Sequence, residues 1–375
     1  MNANADSSNP QLQPALSRRD FLRTSTVAGL AVSGMAAFGS AGAQSVKPPK
    51  IRIGQIGTGH AHASGKMETM RKSDEFEVVG VVESDPRRRA DAEKSKTYEG
   101  LKWMTVEQLL NVPNLQAVAV ETQVKDLLNT AALCIAAGKH IHLDKPAGES
   151  LPAFKRLLDD ATRQKLTVQM GYMFRYNRAF QLCFQLLHDG LLGEVFSIDA
   201  AMSKALGAAE RKSLLPYKGG SMFELGCHVI DAVITIMGRP AKVTPYSKSS
   251  SPLNDGFADN QLAVLEYPRA TVVVRSAIVE IEGGARRQFV VCGTKGTFDI
   301  RPLEAPKARL ALAAPQGAYK AGYQDLTFPD IKGRYDSDFA DLAKVIRGEK
   351  RLGFSPDHDL TVQETVLLAS GMPVN

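Results

Sequence analysis

Apolar and polar positions first organise themselves at Ile51–Ile56, a short apolar run that reads as a strand and ends in Gly57-Thr58-Gly59. Ala61–Arg71 follows as a helix, and Phe76–Glu83 is a β-branched run of the kind found in strands buried on both faces. The alternation continues. Pro86 opens a helix through Lys96, Thr105-Val106-Glu107-Gln108 is a capping box, and Ala117–Val120 is apolar. Val124–Ala137 reads as a helix stopped by Gly138, Lys139–Leu143 as a strand, Ser150–Gln164 as a helix and Leu166–Gly171 as a strand. Strands alternating with helices predict a doubly wound parallel sheet over 51–171. From Tyr172 the pattern changes. A helix over Ala179–Asp189, a strand over Val195–Met202 and a polar loop over Lys204–Lys218 precede a long apolar helix, Met222–Met237. Strand-like runs then follow without intervening helices at Gln261–Tyr267, Ala270–Ile281 and Gln288–Val291, before helices at Ser337–Arg347 and Ser355–Ser370. This order predicts a second α/β domain over 172–375 with an antiparallel or mixed sheet.

The 375 residues suffice for about two domains. Apolar content of 44% and charge of 23% are those of a globular chain, and a net charge of +6 without a basic tract gives no reason to expect nucleic acid as a partner. The cysteines, Cys134, Cys183, Cys227 and Cys292, lie far apart in apolar surroundings, so buried small hydrophobes are expected rather than disulfides or zinc ligands. The first 43 residues carry a different signature. Ser17-Arg18-Arg19-Asp20-Phe21-Leu22 precedes an apolar stretch, Val27–Phe38, and small residues at Ala41-Gly42-Ala43. The order is that of a twin-arginine (Tat-type) export signal, with cleavage after Ala43 and a linker, 44–50, carrying Pro48-Pro49. Gly29, Ser33 and Gly34 interrupt the apolar stretch, which is too short for a stable membrane span. Such cargo is exported folded, so a periplasmic or otherwise exported location is expected, with any nucleotide held tightly and recycled in place.

Candidate chemistry falls on strand ends and one helix. Gly57, Thr58, Gly59 and His60 can bring backbone N–H groups to a pyrophosphate at a helix N-terminus. Glu83 ends the second strand 26 residues after Gly57, where a carboxylate accepts from an adenosine ribose; this favours NAD, while Arg87-Arg88-Arg89 leave NADP open. Lys145, in Asp144-Lys145-Pro146, follows another strand end; a nearby positive charge and partial burial would lower its pKa and make it a proton donor or polarising group. Within Met222–Met237 the strongly polar residues Glu224, His228, Asp231 and Thr235 share one helix face. Glu224 and His228 stand one turn apart, and His228 suits a general base near neutral pH. His60, His62, His140 and His142 show no supporting carboxylate spacing, so no metal site is expected.

Taken in order, the Gly57-Thr58-Gly59 turn, Glu83-Ser84-Asp85-Pro86, Ala137-Gly138-Lys139-His140 leading to Asp144-Lys145-Pro146, Gly193-Glu194-Val195 and Gly220 through Asp231 resemble the glucose–fructose oxidoreductase/inositol dehydrogenase/MocA family. The resemblance implies a Rossmann domain, a second α/β domain whose open, largely antiparallel sheet forms a homo-oligomer interface, and NAD(P)-dependent chemistry on sugars, polyols or related compounds. It maps the family's Glu-Lys-Pro lysine to Lys145 and its Asp-x-x-x-His pair to Glu224 and His228. Tyr172, Arg175, Tyr176 and Asn177, with Asp231, are expected to line the substrate pocket. Three positions depart from the pattern: His62 replaces a small residue, Glu121-Thr122-Gln123 replaces a Thr-Pro loop, and Glu224 replaces an Asp. Alternatives to net oxidation are a glycosidase or lyase that oxidises a sugar only transiently, and a non-catalytic sugar- or nucleotide-binding protein.

Overall fold

The computed structural model describes residues 48–329 and 333–375. The expected signal segment, 1–43, and linker residues 44–47 lie outside the described residues. Strands β1 (Ile51–Ile56), β2 (Phe76–Val82), β3 (Ala117–Val120), β4 (His140–Leu143) and β5 (Val168–Met170) form one sheet in the order β2-β1-β3-β4-β5. Every neighbouring pair is parallel. Helices α1 (Ala63–Lys72), α2 (Pro86–Glu93), α3 (Val106–Leu110), α4 (Val124–Ala136) and α5 (Leu151–Arg163) connect them. All four residues of β3 are buried, as a continuous Ala/Val run at the centre of a parallel sheet requires. The strand order reverses between β1 and β3, which opens a crevice beyond their C-terminal ends, where such sheets take ligands.

A 3₁₀ turn, Met173–Tyr176, leads into α6 (Arg178–His188) and strand β6 (Val195–Ala201). Within the segment expected to be a polar loop, Ala208–Leu214 forms α7; Glu210 accepts from the Gly207 N–H and starts it. The single helix expected over Met222–Met237 is instead a π-helical turn, Met222–Gly226, followed by α8 (Cys227–Met237). Strands β7 (Lys242–Lys248), β8 (Asn260–Tyr267), β9 (Ala270–Ala277), β10 (Gln288–Gly293), β11 (Gly296–Ile300), β12 (Ala308–Leu312) and β13 (Gly322–Leu326) complete the second sheet, ordered β13-β12-β11-β10-β6-β9-β8-β7. Only β6–β9 pairs in parallel. Alternate residues of β8 through β10 are buried, among them Ala263, Leu265, Val272, Val274, Phe289 and Val291. The opposite face leaves Leu262, Val264, Val273 and Val290 half-exposed, and Tyr246 and Tyr323 exposed.

Helix α9 (Asp336–Ile346) returns to the first sheet, where Phe339 meets Phe76 edge-on and stacks on His142 at 4.7 Å. Helix α10 (Pro356–Ala369) packs on α8 and α5, and Gln363 accepts from the Ala147 N–H and donates to the Gly148 carbonyl. The two sheets are thereby clamped around the loop that carries Lys145. Cys134, Cys183 and Cys227 are buried free thiols, and Cys292 is partly exposed. Among the described residues no helix is long and apolar enough to cross a membrane.

Candidate active site

The turn after β1 needs glycine at its first position. Gly57 has φ +95°, and a Cβ there would lie 2.5 Å from the Thr122 nitrogen, inside the backbone that leaves β3. Glu83, at the end of β2, pins the same turn: its Oε2 accepts from the Thr58 N–H and hydroxyl, both at 2.8 Å, and its Oε1 accepts from the Asp85 N–H at 2.9 Å. Arg88 stands 3.6 Å from the same carboxylate and alongside Gly59. No side chain of the N-cap residue caps the start of α1; the His62 and Ala63 N–H groups turn back instead to His60, donating to its Nδ1 at 3.4 Å and to its carbonyl at 3.1 Å. A tight glycine turn and a carboxylate drawn onto that turn fit the phosphate and ribose ends of a dinucleotide.

Lys145, Glu224 and His228 are brought together between the sheets. Lys145 Nζ donates to the Glu224 carbonyl at 2.7 Å and lies 3.3 Å from its Oε1. Burial disfavours the ammonium, but Glu224 and the neighbouring Cys227, Asp144 and Tyr217 outweigh it, so Lys145 titrates above the ordinary lysine range. This corrects the expected downward shift: the lysine is a held cation. Burial likewise works against the Glu224 charge, but Lys145 and Lys204 hold its carboxyl below the usual range. Glu224 therefore pairs with Lys145 rather than orienting His228. The π-turn, not a regular helical turn, presents it.

His228 sits among the rings of Tyr172, Phe174 and His62, at centroid distances of 6.1, 5.6 and 6.2 Å. Burial, reinforced by the charges of Lys145 and Arg334, drives its pKa well below that of free imidazole, so it is neutral and basic in form at pH 7. Its Nδ1, Glu224 Oε2 and the Tyr172 hydroxyl are buried with no hydrogen-bond partner. Buried polar groups are otherwise paired, so these three orphaned atoms leave hydrogen-bonding capacity for a polar ligand.

Four expected pocket residues have other jobs. Arg175 donates to Asp231 (2.6 Å) and Asp359 (2.5 Å), with His358 at 3.3 Å from Asp231; the guanidinium lies over Phe354. This buried cluster ties the 3₁₀ turn, α8 and α10 together, so Arg175 and Asp231 are spent on each other. The Tyr176 hydroxyl donates to Asp341 and accepts from Gln169, facing α9. Asn177 caps α6 and donates to the Leu303 carbonyl. Tyr172 alone stays beside His228.

Sequence reasoning did not find a second network, Lys66–Glu121–Asp144. Lys66 Nζ is 2.9 Å from Glu121 and 2.8 Å from Asp144, with all three side chains fully buried. Burial opposes the Lys66 charge, but the two carboxylates hold it above its ordinary value. Burial and the Asp144 charge push Glu121 well up, whereas His60 and Lys66 hold Asp144 well down against its own burial. His60 and His62 contact the same Asp144 carboxylate at 2.7 and 3.2 Å. The departures at His62 and Glu121 are thus joined through Asp144 and Lys66 into one assembly. The available signal was Lys66 itself, on the stripe of Ala63, Met67 and Met70 that α1 buries.

With this geometry in view, comparison with known proteins is specific. Residues 51–172 match the oxidoreductase family with the NAD-binding Rossmann fold, and residues 180–299 match the GFO/IDH/MocA C-terminal domain. An uncharacterized oxidoreductase, YhhX of Escherichia coli, is 26% identical over 231 residues, covering 61% of this chain and 65% of its own length, just under two thirds. The trans-1,2-dihydrobenzene-1,2-diol dehydrogenase of Mus musculus is 25% identical over 236 residues, 62% of this chain and 69% of that protein. In fold, the chain is similar to the aldose-aldose oxidoreductase of Caulobacter crescentus complexed with glycerol (TM-score 0.71, 18% identity, 86% of this chain and 98% of that one). The chain belongs to the GFO/IDH/MocA family: it is an NAD(P)-dependent oxidoreductase built on an NAD-binding Rossmann domain and a mostly antiparallel C-terminal sheet domain.

Proposed function

We propose that the protein is an exported dehydrogenase that holds its nicotinamide nucleotide tightly and acts on a sugar, polyol or related hydroxy compound. The observation that carries this reading is the trio of buried, unpartnered polar atoms, His228 Nδ1, Glu224 Oε2 and Tyr172 hydroxyl, beside the Lys145 cation. Gly57, Thr58, Gly59, His60 and Glu83 would hold the nucleotide, with Lys145 at its reactive end; when bound, that group supplies the hydride acceptor. The neutral His228 takes the proton of the substrate hydroxyl as the hydride leaves the same carbon. Lys145 donates a hydrogen bond to the oxygen as negative charge develops there, and Glu224 keeps Lys145 in place. The mouse relative is named for a vicinal diol, a hydroxy compound of the class proposed for this site.

His228→Asn is expected to lower kcat by roughly 100- to 10,000-fold, as loss of a general base does, with a much smaller change in KM. Stopped-flow reduction of the bound nucleotide by a panel of sugars and polyols checks this; unchanged kcat would remove His228 from the chemistry. Export is read from the leader. Changing Arg18 and Arg19 together to Lys is expected to leave the protein in the cytoplasm, by fractionation, with its cofactor content unchanged. The half-exposed apolar face of the second sheet is assigned to pairing with a second copy. Val264→Glu, centred among Leu262, Val273 and Val290, is expected to give monomers by sedimentation, and an unchanged assembly would rule that face out.

A further inference from the structure

We propose that the substrate is a hydroxy acid of the sugar-acid class, with its carboxylate held by Arg334 and drawn in by Lys204. This deepens the dehydrogenase reading and rests on it, because it names the charge carried by the compound whose hydroxyl meets His228. Arg334 stands just ahead of α9. Its Nε and Nη2 approach the Met173 sulfur at 3.1 and 2.8 Å, and its guanidinium lies 5.6 Å from the centre of the Tyr335 ring. Met173 sits in the chain between Tyr172 and Phe174, two of the rings packed around His228, so this contact holds the guanidinium at the edge of the reaction centre. The Tyr335 ring continues the same wall, 5.9 Å from the His62 ring, which stands 6.2 Å from His228.

The arginine is otherwise unspent. A thioether is a weak acceptor, and among the described residues no carboxylate or carbonyl accepts from Arg334. Arg175 shows the contrast, with its guanidinium consumed by Asp231 and Asp359. Arg334 is exposed, so water on its N–H fork can be exchanged for a carboxylate, which that fork matches in bidentate fashion. Lys204 is the second cation. Its backbone is fixed after β6, where its N–H donates to the Ala277 carbonyl at 2.9 Å, and its half-buried side chain has no ion-pair partner among the described residues. Unpaired surface cations are common, but the charge of these two reaches the reaction centre: Arg334 helps to keep His228 neutral, and Lys204 helps to keep Glu224 ionised. Lys145 and Glu224 offset each other, so the two further cations leave the site positive. A neutral sugar gains little from that excess, whereas an anion gains charge-assisted hydrogen bonds and a field that draws it in.

The test uses the full chain with its nicotinamide nucleotide and matched pairs of compounds that differ in one group: glucose with glucuronate, sorbitol with gluconate, and glycerol with glycerate. For at least one pair, kcat/KM for the acid is expected to exceed that for its neutral partner by about tenfold or more, the usual gain from hydrogen bonds to a charged group, and to fall as salt is added. Arg334→Met is expected to bring that ratio close to one, chiefly by raising KM for the acid, and Arg334→Lys to keep part of it. Lys204→Met is expected to lower the ratio by a smaller factor and to flatten the salt dependence. Calorimetric titration of the same pairs reads the preference separately from turnover. If no acid is preferred over its neutral partner by either measurement, or if the preference survives in Arg334→Met, the proposal is overturned. Neutral compounds oxidised as well as the acids would sink it while leaving the dehydrogenase reading in place. Acids bound through Arg334 but never oxidised would instead count against that reading.

Discussion

Lys145→Met is expected to cost about 100- to 1,000-fold in kcat, the usual consequence of removing a preorganised charge from a developing oxyanion. It is also expected to destabilise the fold, because the Glu224 carboxylate, now buried without its ammonium, loses the partner that holds it ionised. Breaking a buried pair on one side costs about 3–5 kcal/mol. The two effects separate in the double variant Lys145→Met/Glu224→Gln, where the orphaned charge is gone. That protein should recover most of the stability in urea denaturation and none of the rate in a single-turnover assay. Recovery of both would make Lys145 a structural residue, and the catalytic assignment would fail.

The second large effect is expected at Lys66, which no part of the reaction uses. Lys66→Met leaves Asp144 and Glu121 facing each other across the C-terminal end of the first sheet, and the loss should again be about 3–5 kcal/mol. Adding Asp144→Asn removes the ionised carboxylate that Lys66 compensates and should return a large part of it. The measurement is the urea midpoint at unchanged slope. A Lys66→Met protein of wild-type stability would mean that the network is solvated in solution and that Asp144 is not held as described.

The parallel sheet was legible because its strands are uniformly apolar and its helices carry start and stop signals, as at Thr105 and Pro86. The second sheet was only partly so. Strand β7 contains Pro245, which suits an edge strand but conceals it as one, and β12 and β13 are five residues each with mixed patterns. At the site, Lys145, Glu224 and His228 were found, but their relation was not. A regular helix would have set Glu224 one turn from His228; the π-turn at Met222–Gly226 carries the carboxylate to Lys145 instead. Arg175 and Asp231 looked like pocket residues because charged side chains in an apolar context suggest ligands. Asp359, which completes their pairing, lies 184 residues from Arg175 in the chain, beyond any spacing argument. Asp144 reaches His62 across 82 residues, so no local carboxylate spacing marked the histidine pair.

The most direct test of the central reading is the nucleotide content of the exported protein. Purified from the periplasm without added cofactor, it should release about one nicotinamide nucleotide per chain on denaturation. The bound form should be reduced on addition of a sugar or polyol in wild type and not in Lys145→Met. Protein that carries no nicotinamide nucleotide, and fails to retain it after incubation and gel filtration, would contradict the account.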